Sequence, residues 1–169
     1  MKHLILGGAR SGKSAHAQQC ARDSGLKVIY IATATADDTE MQDRIRRHQA
    51  DRPTDWQLIE EPISLAAVLQ EHAADTNCLL IDCLTLWLNN LLCQQDEKIL
   101  QAELAYVQKI LPALPGHIIF VSNETGLGII PMGELSRRYC DEAGLLHQRL
   151  AKLCDSVTFM LAGLPQKLK

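Results

Sequence analysis

The chain alternates short, wholly apolar runs with longer amphipathic segments. The apolar runs lack polar alternation, which is typical of strands buried on both faces of a parallel sheet. They occupy residues 4–6, 28–32, 78–81, 117–121 and 157–161, and a short edge strand is expected at 56–60. The segments between them predict helices at 14–24, 39–50, 64–74, 84–93, 97–111 and 133–154. Gly163 and Pro165 follow the last run and predict the end of that strand.

This alternation of strand and helix, joined by right-handed crossovers, predicts an α/β domain with a mostly parallel central sheet. Composition agrees, since 47% of the residues are apolar and 22% are charged, as in ordinary globular proteins. Neither a linker nor an internal repeat interrupts the pattern. We therefore predict a single domain over residues 1–169.

Charge and cysteine content narrow the function classes. A net charge of −3 argues against a nucleic-acid binder, which usually has a basic face. No apolar run approaches the length of a membrane span, and the first residues form a strand rather than a signal peptide. The six cysteines contain no C-x-x-C pair, so we expect free thiols in a reducing cytoplasm.

The strongest motif directly follows the first predicted strand. The sequence G-G-A-R-S-G-K-S matches the phosphate-loop pattern G-x-x-x-x-G-K-[ST] at every position, and a helix is predicted to begin within it. Its residues are Gly7, Gly8, Ala9, Arg10, Ser11, Gly12, Lys13 and Ser14. Lys13 is expected to reach the β- and γ-phosphates and Ser14 to bind Mg²⁺. The alternative is a glycine turn that merely starts a helix.

A phosphate-loop protein also needs a carboxylate that supports the metal ion at the end of another strand. Asp82 follows the apolar residues 79–81 and would face the same crevice as the phosphate loop. We predict Asp82 as the second metal residue. The alternative role is capping of the helix that follows.

A histidine in the third predicted segment is a candidate nucleophile. Met41, Ile45 and His48 share one helical stripe, and Arg44 and Arg52 lie four residues to either side of His48. A neutral imidazole between arginines that hold phosphate oxygens can attack phosphorus. From the residues alone, a core histidine beside a solvated charged face is the favoured explanation of the pattern.

These motifs occur together, in this order, in one known family. The stretches GGARSGKS, YIATA, RIRRHQADRP, LLIDCLTLWLNNLL and VSNETGLGIIP resemble the bifunctional adenosylcobinamide kinase/adenosylcobinamide-phosphate guanylyltransferases of cobalamin biosynthesis. The resemblance spans residues 4–162. It implies a P-loop NTPase fold of the RecA-like type, a three-layer sandwich around a mostly parallel sheet. Relatives often carry Asn where this chain has His147.

The resemblance implies two reactions. ATP or GTP would phosphorylate the aminopropanol hydroxyl of adenosylcobinamide, and GMP would then pass from GTP through a covalent His48–GMP intermediate to the product, adenosylcobinamide phosphate. Lys13 and His48 would be catalytic. Nucleotide contacts beyond the phosphate loop would fall on Thr33, Ala34, Thr35, Gln49, Ala50, Asp51, Arg52, Glu60 and Asp82. The family also implies a homo-oligomer, commonly a trimer.

Two other functions remain open at this stage. A kinase for another small hydroxylated substrate would use the phosphate loop and Asp82 and leave His48 idle. A GTP-dependent switch would bind nucleotide without forming an adduct, but the guanine-reading motif N-K-x-D of switch GTPases is absent from the sequence.

Overall fold

The computed structural model describes residues 1–35, 53–94 and 96–169. The strands are β1 (Lys2–Gly7), β2 (Lys27–Ala32), β3 (Gln57–Glu60), β4 (Asn77–Asp82), β5 (His117–Asn123), β6 (Ser156–Leu161) and β7 (Leu164–Lys167). The helices are α1 (Lys13–Asp23), α2 (Leu65–His72), α3 (Leu84–Leu92), α4 (Glu97–Ile110) and α5 (Glu134–Leu153). A 3₁₀ turn, Leu111–Ala113, follows α4. The helix predicted at 39–50 lies outside the described residues.

These strands form one seven-stranded sheet in the order β3-β2-β4-β5-β1-β6-β7. All neighbouring pairs are parallel except β6 and β7, which are antiparallel. The predicted α/β class and mostly parallel sheet are therefore confirmed. The last predicted strand ends at Leu161, before Gly163, as expected. Beyond it, Ala162 and Gly163 form a two-residue turn and the chain returns as the edge strand β7, which no pattern in the sequence predicted.

Alternation along β1 shows how the sheet is buried. Leu4 and Leu6 belong to the core beneath α2, α3, α4 and α5, whereas Ile5 packs on the opposite face with Ala17 and Ala21 of α1. Each fully buried aliphatic side chain of this kind contributes about 1.5–3 kcal/mol to folding. Helical layers on both faces thus give the three-layer sandwich.

The strand order determines which loops meet. Parallel strands place their carboxyl ends at one edge of the sheet, so the loops after β1, β2, β4 and β5 meet there. Of these strands, β5 lies between β1 and β4. The phosphate loop and Asp82 are therefore separated by one intervening strand. Within the described ranges, no helix is long and apolar enough to cross a membrane.

Candidate active site

The phosphate loop is formed by tight backbone geometry between β1 and α1. Gly7 and Gly12 have positive φ values of 152° and 93°. A Cβ atom on Gly7 would lie 2.5 Å from the carbonyl oxygen of Met160, so only glycine fits against the neighbouring strand β6. Arg10, at the tip of the loop, is also left-handed, with φ 54°. The exposed side chain of Arg10 is therefore carried on a strained turn.

Two polar side chains are enclosed by this loop. Lys13 is 7% exposed, and its Nζ donates to the carbonyl oxygen of Gly8 at 2.6 Å. Burial lowers the pKa of Lys13, and the nearby Cys83 and Asp82 partly oppose that shift. In the described part of the chain, the buried Ser11 Oγ has no hydrogen-bond partner. A buried cation beside an unpaired hydroxyl is suited to receive an anion.

Asp82 ends β4 at the same edge and is held by a neighbouring strand. The hydroxyl of Tyr30 on β2 donates to Asp82 Oδ2 at 3.0 Å. Just beyond β2, Thr33 Oγ1 donates to the carbonyl oxygen of Cys83 at 2.7 Å and accepts from its N–H at 3.0 Å. The carboxylate and the backbone after it are thus fixed by two residues of the neighbouring β2 segment.

The end of β5 connects this edge of the sheet to α3. The backbone N–H of Asn123 donates to Thr85 Oγ1, in the first turn of α3, at 2.8 Å. The next residue, Glu124, donates its backbone N–H to the carbonyl oxygen of Gly7 at 3.0 Å. The loop after β5 is therefore tied directly to the first residue of the phosphate loop.

A buried histidine supports this loop from α5. His147 is 6% exposed, and its Nε2 lies 2.8 Å from Ser122 Oγ. Its Nδ1 lies 3.4 Å from Glu124 Oε2, while Glu124 Oε1 accepts from the N–H of Gly126 at 2.6 Å. Burial lowers the pKa of His147, and the Glu124 carboxylate opposes that shift. The histidine at this position thus keeps polar contacts with the loop.

The sequence-predicted residues distribute unevenly over the structure. Those placed near the carboxyl edge of the sheet are Gly7, Gly8, Ala9, Arg10, Ser11, Gly12, Lys13, Ser14, Thr33, Ala34, Thr35 and Asp82. Glu60 also ends a strand, and its side chain is exposed. Its strand, β3, is however the outermost strand of the sheet, separated from β1 by the three strands β2, β4 and β5. The side chain of Thr33 is fully buried and engaged with Cys83. The predicted nucleophile His48, and Gln49, Ala50, Asp51 and Arg52, lie outside the described residues.

The donor set at this edge fits a magnesium ion. Ser14 contributes a hydroxyl from the first turn of α1, and Asp82 contributes a carboxylate. Mg²⁺ prefers oxygen ligands and normally takes few from the protein, with the remainder from phosphates and water. Across the described ranges, no group of three or more His, Cys, Asp or Glu side chains could hold a metal ion.

Sequence reasoning missed two supporting residues. Tyr30 is the one polar-tipped side chain in its apolar run, and that isolated hydroxyl was the available signal. Glu124 lies in a recognised motif, but nothing in the sequence placed it against His147, which follows it by more than twenty residues. Both contacts depend on the order of strands and helices in the fold.

Comparison with known proteins agrees with the family resemblance of the sequence motifs. A family model described as cobinamide kinase / cobinamide phosphate guanyltransferase matches residues 3–168. The bifunctional adenosylcobalamin biosynthesis protein CobP of Pseudomonas aeruginosa is 58% identical over 169 residues, covering 100% of this chain and 98% of the relative. The bifunctional adenosylcobalamin biosynthesis protein CobU of Escherichia coli is 33% identical over 182 residues, covering 100% of both chains.

Solved structures of other proteins share the fold. The flagellar accessory protein FlaH of Methanocaldococcus jannaschii superimposes with a TM-score of 0.55 at 16% identity, covering 99% of this chain and 77% of that one. The RadB recombinase superimposes with a TM-score of 0.51 at 15% identity, covering 94% and 73%. Such likeness supports the predicted RecA-like P-loop fold alone. The family model and the relatives, in contrast, cover nearly the whole chain, and the chain belongs to the cobinamide kinase / cobinamide phosphate guanyltransferase family.

Proposed function

We propose that this chain phosphorylates the aminopropanol hydroxyl of adenosylcobinamide with ATP or GTP and then transfers GMP from GTP to the product, adenosylcobinamide phosphate. The final product is adenosyl-GDP-cobinamide. The observation that carries the proposal is family membership over residues 3–168, combined with a formed phosphate loop that encloses Lys13 and the unpaired hydroxyl of Ser11. Relatives named as bifunctional adenosylcobalamin biosynthesis proteins support both activities.

In the kinase step, the phosphate loop holds the triphosphate while the substrate hydroxyl attacks the γ-phosphorus. Backbone N–H groups of the loop and the N-terminal end of α1 bind the phosphate oxygens. Lys13 leaves its bond to Gly8 for the β- and γ-phosphates, where its charge stabilises the negative charge that develops on the leaving diphosphate. Positioning and electrostatics account for most of the catalysis in reactions of this kind.

In the transfer step, we propose His48 as the nucleophile. A neutral imidazole nitrogen attacks the α-phosphorus of GTP, the bond to pyrophosphate breaks, and a histidine–GMP phosphoramidate forms. A phosphate oxygen of the cobinamide phosphate then attacks the same phosphorus and displaces the histidine. Division into two displacements avoids holding two bulky anions in line at once. The support for His48 is the family resemblance and its flanking arginines.

Ser14 and Asp82 would hold Mg²⁺ in both steps. The ion would neutralise charge on the β- and γ-phosphates and on departing pyrophosphate. Tyr30 orients the Asp82 carboxylate through its hydrogen bond to Oδ2. The other proposed nucleotide contacts are Thr33, Ala34, Thr35, Gln49, Ala50, Asp51, Arg52 and Glu60.

We also propose a homo-oligomer, a trimer by family resemblance. The loop after β5 exposes a run of large apolar side chains, among them Leu127 at 80%, Ile129 at 98% and Met132 at 96%. Contiguous apolar surface of this kind commonly marks a contact between proteins. The six free cysteines fit a reducing compartment, and we propose the cytoplasm. Light scattering on a sizing column tests the trimer, because a monomer mass would contradict it.

The deciding experiment is intact-protein mass spectrometry after incubation with GTP and Mg²⁺. We expect a mass increment of one GMP that is labile in acid and stable in base, as a phosphoramidate is. Peptide mapping should place it on His48. GTP binding without an adduct would instead favour a plain P-loop kinase with an idle His48.

Two variants test the assignment of His48 as the nucleophile. His48→Ala should form no adduct and should retain phosphorylation of adenosylcobinamide, because the phosphate loop is untouched. His72→Ala removes a histidine at the end of α2, next to Asn77 at the start of β4, and should preserve both activities. Loss of both activities in a folded His48→Ala protein would contradict the division of labour.

A further inference from the structure

We propose that the β6–β7 turn, residues 161–164, forms a wall of the pocket for the nucleoside of the kinase phosphate donor. This inference rests on the proposed kinase function and identifies where the base and ribose lie in that step. The turn consists of Leu161, Ala162, Gly163 and Leu164. None of these residues belongs to a recognised nucleotide motif.

The turn is joined to the phosphate loop by a hydrogen bond and by close packing. The N–H of Gly163 donates to the carbonyl oxygen of Ser11 at 3.0 Å. A Cβ atom on Gly12 would lie 3.3 Å from Gly163 Cα, so a side chain at this position of the phosphate loop would crowd the turn. A ligand held by the phosphate loop therefore has this turn as its immediate neighbour on the β6 side.

The strand order indicates which end of the triphosphate faces the turn. Asp82, the proposed metal residue, ends β4, which lies on the β5 side of β1. A metal ion held by Ser14 and Asp82 would neutralise charge at the β- and γ-phosphate end of the nucleotide. The γ-phosphate is therefore directed toward β4, and the chain of phosphates leads away from it. Its α-phosphate end, with the nucleoside attached, then extends toward β6 and β7.

The turn presents an open apolar surface. Leu161 and Leu164 form the last cross-strand pair, so their side chains lie on the same face of the hairpin. They are 64% and 72% exposed. A Cβ atom built on Gly163 would meet nothing within 4 Å, so a flat ring can approach that backbone closely.

The backbone conformation of the turn explains its position. Ala162 has a φ of 51° and Gly163 a φ of 82°, the two positive values that a two-residue hairpin turn requires. The short turn brings Gly163 to the phosphate loop, where its N–H donates to Ser11.

The chemistry of this wall suggests a donor specificity. Aliphatic side chains and a bare backbone bury the apolar faces of adenine and guanine alike, and they do not read the groups that distinguish the two bases. The wall therefore receives the nucleoside of the proposed donors, ATP and GTP, without distinguishing the two. We expect ATP and GTP to serve the kinase step with KM values within about fivefold of each other.

The test compares the affinity for a whole nucleotide with the affinity for a phosphate chain that lacks the nucleoside. The double variant Leu161→Ala/Leu164→Ala removes the apolar wall, and Leu168→Ala is the matched control at an exposed leucine beyond β7. Calorimetry would measure the Kd of a non-hydrolysable ATP analogue and of inorganic tripolyphosphate. We expect the double variant to weaken ATP-analogue binding about tenfold and to change tripolyphosphate binding less than twofold. The control should change neither.

Two results would overturn the inference. One is unchanged ATP-analogue affinity in a folded double variant. The other is an equal loss for tripolyphosphate, which would mean that the turn acts only by shaping the phosphate loop. Should the double variant fail to fold, Leu164→Trp is the second probe, since its fluorescence should respond to the ATP analogue and not to tripolyphosphate. An unchanged signal with the analogue bound would count against contact.

The same measurements separate this inference from the proposed function. Failure of the wild-type protein to bind either the ATP analogue or the corresponding GTP analogue would refute the kinase function itself. Binding by the wild type with no effect of the variants would refute the role of the turn alone.

Discussion

The hydroxyl of Tyr30 lies 3.0 Å from Oδ2 of Asp82 and joins the ends of two neighbouring strands. Tyr30 is itself a core residue, 5% exposed, packed on the α1 face of the sheet. Its ring is therefore fixed by packing, and its hydroxyl fixes the carboxylate. We regard Tyr30 as the residue that positions the proposed metal ligand.

Tyr30→Phe should weaken the use of Mg²⁺ while preserving the fold. Loss of one charge-assisted hydrogen bond allows the Asp82 carboxylate to rotate, and we expect the Mg²⁺ concentration for half-maximal kinase activity to rise about three- to tenfold. Tyr106→Phe is the matched control, because its hydroxyl donates to Gln70 at 2.8 Å on the exposed surface. If the magnesium titration of Tyr30→Phe coincides with that of Tyr106→Phe, the hydrogen bond from Tyr30 to Asp82 is dispensable.

Gly7→Ala should abolish nucleotide binding and destabilise the protein. The added methyl group would meet the carbonyl oxygen of Met160 at 2.5 Å, so either β6 or the phosphate loop must move. We expect a loss of about 2–4 kcal/mol in the free energy of unfolding, measured in urea.

The control is Gly25→Ala, also at a positive φ of 65° but with open space around its Cβ. Gly25→Ala should lower the free energy of unfolding only by the backbone cost of about 1 kcal/mol and should leave nucleotide affinity unchanged. Equal destabilisation of the two variants would mean that the contact with Met160 has no separate effect.

His147→Ala should destabilise the protein and loosen the loop after β5. The change leaves Ser122 and Glu124 without their buried partner and opens a cavity. We therefore expect the free energy of unfolding to fall by about 2–4 kcal/mol. His147→Gln, which keeps a polar tip, should recover part of that loss. Urea unfolding and hydrogen exchange at the N–H of Gly126 provide the measurements. Gln148→Ala, at the exposed next position, should change neither.

Stability should fall in mild acid because of His3. Burial, with smaller contributions from His16 and His117, lowers the pKa of His3 to about 4. The unfolded chain binds a proton near pH 6.5, whereas the folded protein resists protonation down to about pH 4. The neutral ring therefore stabilises the fold fully above pH 6.5. As the pH falls from 6.5 to about 4, the free energy of unfolding should decrease by up to about 3 kcal/mol.

His3→Gln checks this assignment. An amide can keep the contact with Thr158 Oγ1, now 2.8 Å from His3 Nε2, and it does not titrate. Free energies of unfolding measured from pH 7.5 to pH 4 should therefore decline less steeply than in the wild type. His72→Gln serves as the control for loss of a histidine elsewhere. A wild-type slope in the His3→Gln protein would assign the acid sensitivity to other groups.

The sequence predicted the elements at this site better than their arrangement. The phosphate loop was evident because its glycines, lysine and serine are all required by one backbone geometry. Asp82 was found because a carboxylate directly after an apolar run leaves the sheet at its carboxyl edge. Both inferences use only neighbouring residues along the chain.

What was missed depends on distant contacts. The strand β7 reads Leu-Pro-Gln-Lys, and its exposed, proline-containing sequence has no strand pattern of its own. It forms because β6 offers an open edge and a two-residue turn returns the chain to it. The contacts of Tyr30 and His147 likewise follow from strand order, which apolar runs do not encode.

The position of β1 between β5 and β6 also affects how the protein is made. Both partners follow β1 by more than a hundred residues, so the strand that leads into the phosphate loop is translated long before either partner exists to pair with it. A nascent chain that ends before β5 carries the complete G-x-x-x-x-G-K-S sequence without the neighbours that shape it. Nucleotide can therefore stabilise only a chain in which β5 and β6 have been synthesised, and added ATP should rescue folding after that point rather than before it.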